Sequence, residues 1–298
     1  MWAMKKGNDM ETVSVENERL TRLVDMVNDS DLSSIKTNIV RIIRQINNPK
    51  STARDLKKII RIDPPLTAKV LRVANSSFYA PEKPIEDIGK AVIWIGYDTV
   101  KELALRQKAC KLFDKDEILE GYQRSALWTY SVATAYYSRL IYSRVTGQDT
   151  EAVYSAGLLH KIGLIAEEQF LRKAFVKMLQ VMNQKGVHLI HLEKKLLGFN
   201  HAELGAAIAR KWHLPETLTM SIAYHTEPFQ APEEYVKPAA VLYIAAMQCH
   251  FAEIGYYQAT LYDDALYNAC LEKLELEPDD IEELVQNSRE ELNAILQP

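Results

Sequence analysis

The chain has 298 residues, 47% of them apolar, which suffices for one large domain or two smaller ones with a sizeable core and no covalent staple. A formal net charge of -4, with Lys and Arg dispersed among Asp and Glu, excludes a global attraction to phosphate backbones, so nucleic acid is not the expected partner. The three cysteines, Cys110, Cys249 and Cys270, lie far apart without Cys-x-x-Cys spacing, which argues against a zinc ribbon or redox motif and for a reducing cytoplasm.

Neither export nor membrane insertion is expected. No apolar segment follows the amino-terminal Met-Trp-Ala-Met-Lys-Lys, and the longest apolar run, Ala239 to Met247, is too short to span a bilayer. Gly and Pro, 11 of each, make up about 7% of the residues against roughly 12% in average usage, and no Asn-Gly or Asp-Gly pair occurs. Few obligatory turns and no hairpin signal predict an all-α fold.

In chain order, residues 1 to 11 read as a polar tail, and Glu18 to Asn28 as a lead-in helix with Leu20, Leu23, Val24 and Val27 on one face. Thr52 with Asp55 starts a short helix that ends at Asp63. Asp63 then caps a helix beginning at Pro64-Pro65 and carrying Leu66, Val70, Val73 and Ala74 inward until about Ser76. Ile85, Ile88, Val92 and Ile95 continue the pattern to Gly96, after which Asp98 is expected to cap a helix burying Leu103 and Ala104. Residues 1–29 form the tail and lead-in, and 30–118 a compact multi-helix amino-terminal lobe.

A second lobe, 119–230, begins with a long helix over about 122–144, ended by Gly147, and another from Thr150 through His160. Helices follow at roughly 168–185, 189–197, 200–213 and 215–226. A carboxy-terminal extension, 231–298, holds helices near 237–252 and 279–296, the last an amphipathic cover for the core. Asn75 and Ser76 suit a capping role, and Tyr136, Tyr137 and Tyr142 fall at helical spacing as core or interface residues.

Three histidines share faces with apolar residues: His160 with Val153, Ala156 and Leu164; His201 with Leu204, Ile208 and Trp212; His225 with Leu218 and Ile222. Singly, each reads as a hydrogen-bonded core histidine. Together, on successive helices, they suggest one pocket.

Gly157-Leu158-Leu159-His160-Lys161-Ile162-Gly163 resembles the Gly-Leu-Leu-His-Asp-Ile-Gly segment of the HD-superfamily metal phosphohydrolases, with Lys161 where the aspartate belongs. In those enzymes the pattern implies one or two cations that activate water for attack on phosphorus. An ammonium cannot coordinate a metal and repels one. The resemblance places His201 and His225 on family histidines, Thr226 on the second member of a His-His pair, Ala245 and Ala246 where a late aspartate is expected, and Trp128 with Ser131 near the first histidine.

The departure is that of the HDOD family. Ile62-Asp63-Pro64-Pro65-Leu66-Thr67-Ala68-Lys69-Val70-Leu71-Arg72-Val73-Ala74-Asn75-Ser76 resembles its signature closely, as do Ala91 to Gly96, Val100 to Leu103, and Trp212-His213-Leu214-Pro215 leading to His225. The resemblance covers about residues 30–230. It departs at Ser33-Ser34-Ile35-Lys36-Thr37, where the family often has paired prolines.

The resemblance implies an amino-terminal lobe packed on an HD-like helical bundle. It also implies a non-catalytic bacterial signal-transduction module, with no catalytic residue, metal or cofactor. Such a module acts by binding another signalling protein or a small ligand, an anion being one candidate; His160, Lys161, His201 and His225 are the candidate vestigial or ligand pocket. No receiver or cyclase segment is legible, so input is expected through a partner or a ligand in the interlobe cleft. The alternative is a phosphohydrolase with one transition metal on His160, His201 and His225, against which the Lys161 charge argues. In a third reading the same cluster holds an anion without metal.

Overall fold

The computed structural model describes residues 18–30, 64–113, 117–147 and 151–296. Their regular elements are all helices, with no strand and one isolated bridge between Leu119 and Tyr122, so the all-α expectation is met. The tail, the helix from Thr52 to Asp63, the capping role of Asp63 and the opening segment Ser33 to Thr37 lie outside the described residues.

The first helix, α1, spans residues 18–28 and buries Leu23, Val24 and Val27. Next come α2 (Pro64–Ala74), α3 (Ile88–Ile95) and α4 (Tyr97–Ala109). They close a small core in which Leu66 and Val70 of α2 meet Ile88 and Val92 of α3 and Val100 and Leu103 of α4. Asp87 caps α3 by accepting from the Lys90 N–H at 3.0 Å. The expected cap of α4 is corrected. Gly96, at φ 89°, is the N-cap, and Asp98 lies inside the first turn, where it accepts from the Lys101 ammonium at 2.7 Å. Gly96 can enter the helix from a conformation closed to Asp. Asn75 clamps the loop after α2: its side-chain N–H donates to the Leu71 and Ile85 carbonyls, and its oxygen accepts from the Ile85 N–H at 2.7 Å.

The larger core is built from α5 (Arg124–Thr146), α6 (Glu151–Leu159), α7 (Ile162–Phe170), α8 (Arg172–Lys185), α9 (Leu189–Leu197), α10 (His201–Lys211), α11 (Glu216–Tyr224), α12 (Glu233–Phe251), α13 (Asp264–Leu274) and α14 (Pro278–Leu296). Gly147 ends α5 in the left-handed conformation, as its position predicts. Two boundaries differ from the sequence reading. The helix expected to run through His160 stops at Leu159, and α7 starts after a turn at His160 and Lys161; the stretch assigned to 168–185 is divided at Leu171. Apolar residues continue on both sides of each break, so periodicity alone does not mark it. Helix α13, capped by Asp263, was also not anticipated.

Two close approaches fix the turn between α6 and α7. A Cβ on Gly157 would lie 2.5 Å from the Ala135 Cα of α5, and one on Gly163 would lie 2.0 Å from the His201 carbonyl oxygen of α10. Only a missing side chain lets these backbones meet. The consequence is that His160 and Lys161 are pressed against α10 and its first residue, His201.

No described helix is long and apolar enough to cross a membrane. Cys110, Cys249 and Cys270 form no disulfide among the described residues.

Candidate functional site

The start of α10 is set by a capping box. Asn200 accepts from the Glu203 N–H at 2.9 Å, and the Glu203 side chain accepts from the Asn200 N–H at 2.9 Å. This holds His201 at the first helical position, from which its ring enters the core. His225 closes α11, and His160 and Lys161 occupy the turn before α7. The fold therefore brings together all four residues singled out by sequence. They are closed to solvent, at 0% exposure for His160, 1% for Lys161, 0% for His201 and 2% for His225.

Their hydrogen bonds fix which ring nitrogens carry protons. His201 Nδ1–H donates to the Glu193 carboxylate, at 2.8 and 3.0 Å to its two oxygens. His225 Nδ1–H donates to the Ile222 carbonyl at 2.8 Å, and His160 Nδ1–H to the Gly157 carbonyl at 2.6 Å. All three rings thus present Nε2 as an acceptor. Lys161 Nζ lies 2.9 Å from His201 Nε2 and 3.1 Å from His225 Nε2 and donates to both. His160 Nε2, buried, has no hydrogen-bond partner among the described residues, and its ring packs edge-on against that of His225 with centroids 5.0 Å apart.

The electrostatics follow from burial. Desolvation, then the Lys161 charge, hold the pKa values of His160, His201 and His225 well below the ordinary histidine range, so the rings are neutral. Burial pushes the Lys161 ammonium down to about 7, against the pull of Glu193. The amine retains at least two N–H donors in either charge state, so both bonds to histidine survive its titration.

Behind this layer lies a pair of acids that sequence reasoning missed. Glu193 of α9 also accepts from the His201 backbone N–H at 2.9 Å, and is wholly buried. Glu167 of α7 is buried beside it with no N–H donor directed at either oxygen. Two adjacent buried carboxyls do not both ionise. Burial and then the Glu193 charge raise the Glu167 pKa well above the carboxylate range, so Glu167 is the member of the pair that keeps its proton. The sequence signal was an acid inside an apolar run, in Ile162 to Glu167 and in Leu189 to Glu193.

Trp128 does not face the cluster. Its ring packs on Phe113 at 5.0 Å and borders a separate cavity, and Tyr130 takes the place beside His160, at 5.5 Å between ring centroids.

The residues do not fit the cation of the phosphohydrolases. A metal held by the His201 and His225 rings needs both Nε2 lone pairs at about 2 Å, and here both point at a nitrogen that bears protons. Among the described residues no three His, Cys, Asp or Glu side chains are grouped to hold a metal ion. The carboxylate behind His201 is the arrangement that orients a metal-bound histidine, here serving a lysine.

The HDOD domain profile matches residues 32–228. A crystal structure of an HDOD domain protein of unknown function from Geobacter sulfurreducens superposes with a TM-score of 0.77 at 26% identity, over 94% of this chain and 97% of that one. A Marinobacter aquaeolei VT8 protein provisionally assigned to signal transduction has the same fold, with a TM-score of 0.73 at 21% identity over 95% of this chain and 65% of that one. So has a provisionally assigned phosphohydrolase from Shewanella amazonensis SB2B, with a TM-score of 0.61 at 24% identity over 86% and 93%. An uncharacterized Treponema pallidum (strain Nichols) protein is 26% identical over 237 residues, 78% of this chain; the chain spans only 45% of that relative's length. The match over residues 32–228, with a fold shared almost end to end with a solved member, means that the chain belongs to the HDOD domain family.

Proposed function

We propose that this protein is a non-catalytic signal-transduction module of the cytoplasm, which keeps an HD-type scaffold as a rigid body and acts by binding another signalling protein or a small ligand. The single observation that carries the reading is the Lys161 amine, within hydrogen-bond reach of both His201 and His225 Nε2. An internal cation takes the lone pairs that a hydrolytic metal requires. The signal-transduction assignment given to the Marinobacter relative supports the same class. A scaffold of this kind hosts several activities, so the site carries the argument and the fold does not.

A second reading is a phosphohydrolase using one metal on the three histidines. His160 Nε2, buried without a hydrogen-bond partner among the described residues, and the carboxylate behind His201 favour it. Elemental analysis of protein purified without chelator, with a phosphatase and phosphodiesterase screen on the same sample, decides between the two. The non-catalytic reading predicts substoichiometric metal and no turnover. Stoichiometric metal with turnover that disappears in His201→Ala supports the hydrolase.

A further inference from the structure

Exposed large apolar side chains are ordinary when scattered and informative when contiguous. The end of α12 and the start of α13 bring such a group together, sharing no residue with the histidine cluster. Phe251, at 49% exposure, closes α12; Leu261, at 38%, and Tyr262, at 41%, stand just before α13. Phe251 meets Tyr262 edge-to-face with ring centroids 5.3 Å apart and Tyr267 at 5.6 Å, and the half-buried His250 ring stacks against Tyr262 at 6.4 Å. The face is anchored from below. The Tyr256 N–H donates to the Ala126 carbonyl of α5 at 3.0 Å, the Thr260 hydroxyl is hydrogen-bonded to that of Tyr130, and the Tyr267 hydroxyl accepts from Gln248 at 3.0 Å. A preformed surface loses little conformational freedom on binding.

The charge around these rings is of one sign. Residues 238–272 contain Glu253, Asp263, Asp264 and Glu272 and no Lys or Arg. Asp263 accepts from the Leu266 N–H at 2.9 Å and Asp264 from the Tyr262 hydroxyl at 2.8 Å; both donors are neutral, so each carboxylate keeps its charge. Tyr262 titrates above the usual phenol range, first because its hydroxyl donates to Asp264 and then because the neighbouring charges of Asp264 and Asp263 are negative. The next cations along the chain are removed from the face: Lys273 lies 2.7 Å from Glu233, and Lys237 is near the other end of α12. His188, which meets the Gln258 carbonyl at 3.2 Å, is pushed down to about 4 by burial and is uncharged at neutral pH. The carboxy-terminal end of α12 adds a partial negative charge where Phe251 stands.

Resting on the reading of this chain as a binding module, we infer that this aromatic face docks a basic segment of a partner protein, with Arg or Lys cations lying over the Phe251 and Tyr262 rings beside Asp264. The face of an aromatic ring attracts a cation, and a carboxylate at its edge adds to the same pull. Arg suits the site best, because a guanidinium stacks on a ring while donating to a carboxylate. A neutral or acidic partner would leave the carboxylates facing it uncompensated.

The test is calorimetric titration of the full chain with hexa-arginine amide and with its neutral isostere, hexacitrulline amide, at about 150 mM salt, where diffuse attraction is screened. The expected result is saturable binding of the arginine peptide only. It is weakened about five-fold or more in the double variant Phe251→Leu with Tyr262→Leu, which keeps the apolar area and removes the rings, and about two-fold or more in Asp264→Asn. It is unchanged in Glu282→Gln with Glu283→Gln, on the exposed side of α14. Each variant is checked for an unchanged circular dichroism spectrum. No saturation by hexa-arginine below about 5 mM overturns the inference, as does equal binding of the citrulline peptide or wild-type affinity in the ring variant. Equal weakening by the α14 variant overturns it in favour of diffuse attraction to an acidic chain. A dimer in sedimentation velocity that the ring variant abolishes overturns it too, giving the face to a second copy. No metal or substrate enters these measurements, so their failure leaves the non-catalytic reading as it stands.

Discussion

Lys161 and Lys69 are both drawn out of bulk water, and burial is the first cause of the lowered pKa of each, yet their amines meet opposite surroundings. Lys161 points at two neutral histidine acceptors, with Glu193 one layer behind, and no solvent reaches it. Lys69 stands beside Arg72 and Arg106 at the edge of a cavity. The first arrangement satisfies its charge internally and is complete without a ligand. The second is half-open to a cavity and close to two other cations. One lysine is thus part of a closed internal network, and the other stands on the wall of an open cavity.

The most severe way to break the closed network is Glu193→Ala. It removes the acceptor of the His201 ring and backbone N–H and leaves Lys161 without its counter-charge, so stability is expected to fall by about 5 kcal/mol. Chemical denaturation checks this; a loss below about 1 kcal/mol would show that the cluster is not held by the acid.

Next in size is the pH dependence of Lys161. Its folded pKa of about 7 lies below the ordinary value of 10.5, so between these limits the unfolded chain binds a proton that the native chain does not. Stability contributed through this group therefore rises with pH over that window, and the penalty is fully present below pH 7. The rise is on the order of 4 kcal/mol. Replacing Lys161→Met should flatten the wild-type rise, measured as the difference between the two unfolding curves from pH 7 to pH 10. Parallel curves would mean that the amine is not buried as described.

A smaller loss, about 3 kcal/mol, is expected for Gly163→Ala, whose methyl would meet the His201 carbonyl oxygen and push α7 off α10. Thermal unfolding reads it. The weakest effect belongs to the open region. Lys69→Gln, at a half-buried position on a cavity wall, should change stability by no more than about 1 kcal/mol. A destabilisation as large as that of Glu193→Ala would erase the distinction between the two regions.

How much of this was legible in the sequence depends on which contacts are local. His160, His201 and His225 fall at helical spacing from apolar neighbours in the sequence, so their convergence could be read from periodicity and family likeness, even though His160 lies in a turn. The role of Lys161 could be read only as the loss of an acid. That its amine bonds His201 and His225 depends on contacts spanning 40 and 64 residues of sequence, which no local pattern encodes. Glu193 and Glu167 were hidden for a related reason, since a charged residue in an amphipathic helix is ordinarily assigned to solvent and their partners come from other helices. Helix types and most ends followed from Gly147, Asn200 and Gly198. The breaks at His160 and Leu171 escaped because apolar spacing continues through them.

The central claim is that an amine takes the place of a metal on the histidine Nε2 atoms. Nitrogen-15 NMR of protein labelled at histidine, recorded before and after addition of zinc, tests it most directly. The account predicts neutral rings for His160, His201 and His225, protonated at Nδ1 and bare at Nε2, with signals unmoved by zinc. Nε2 signals of His201 and His225 that shift together on addition of stoichiometric zinc would contradict it.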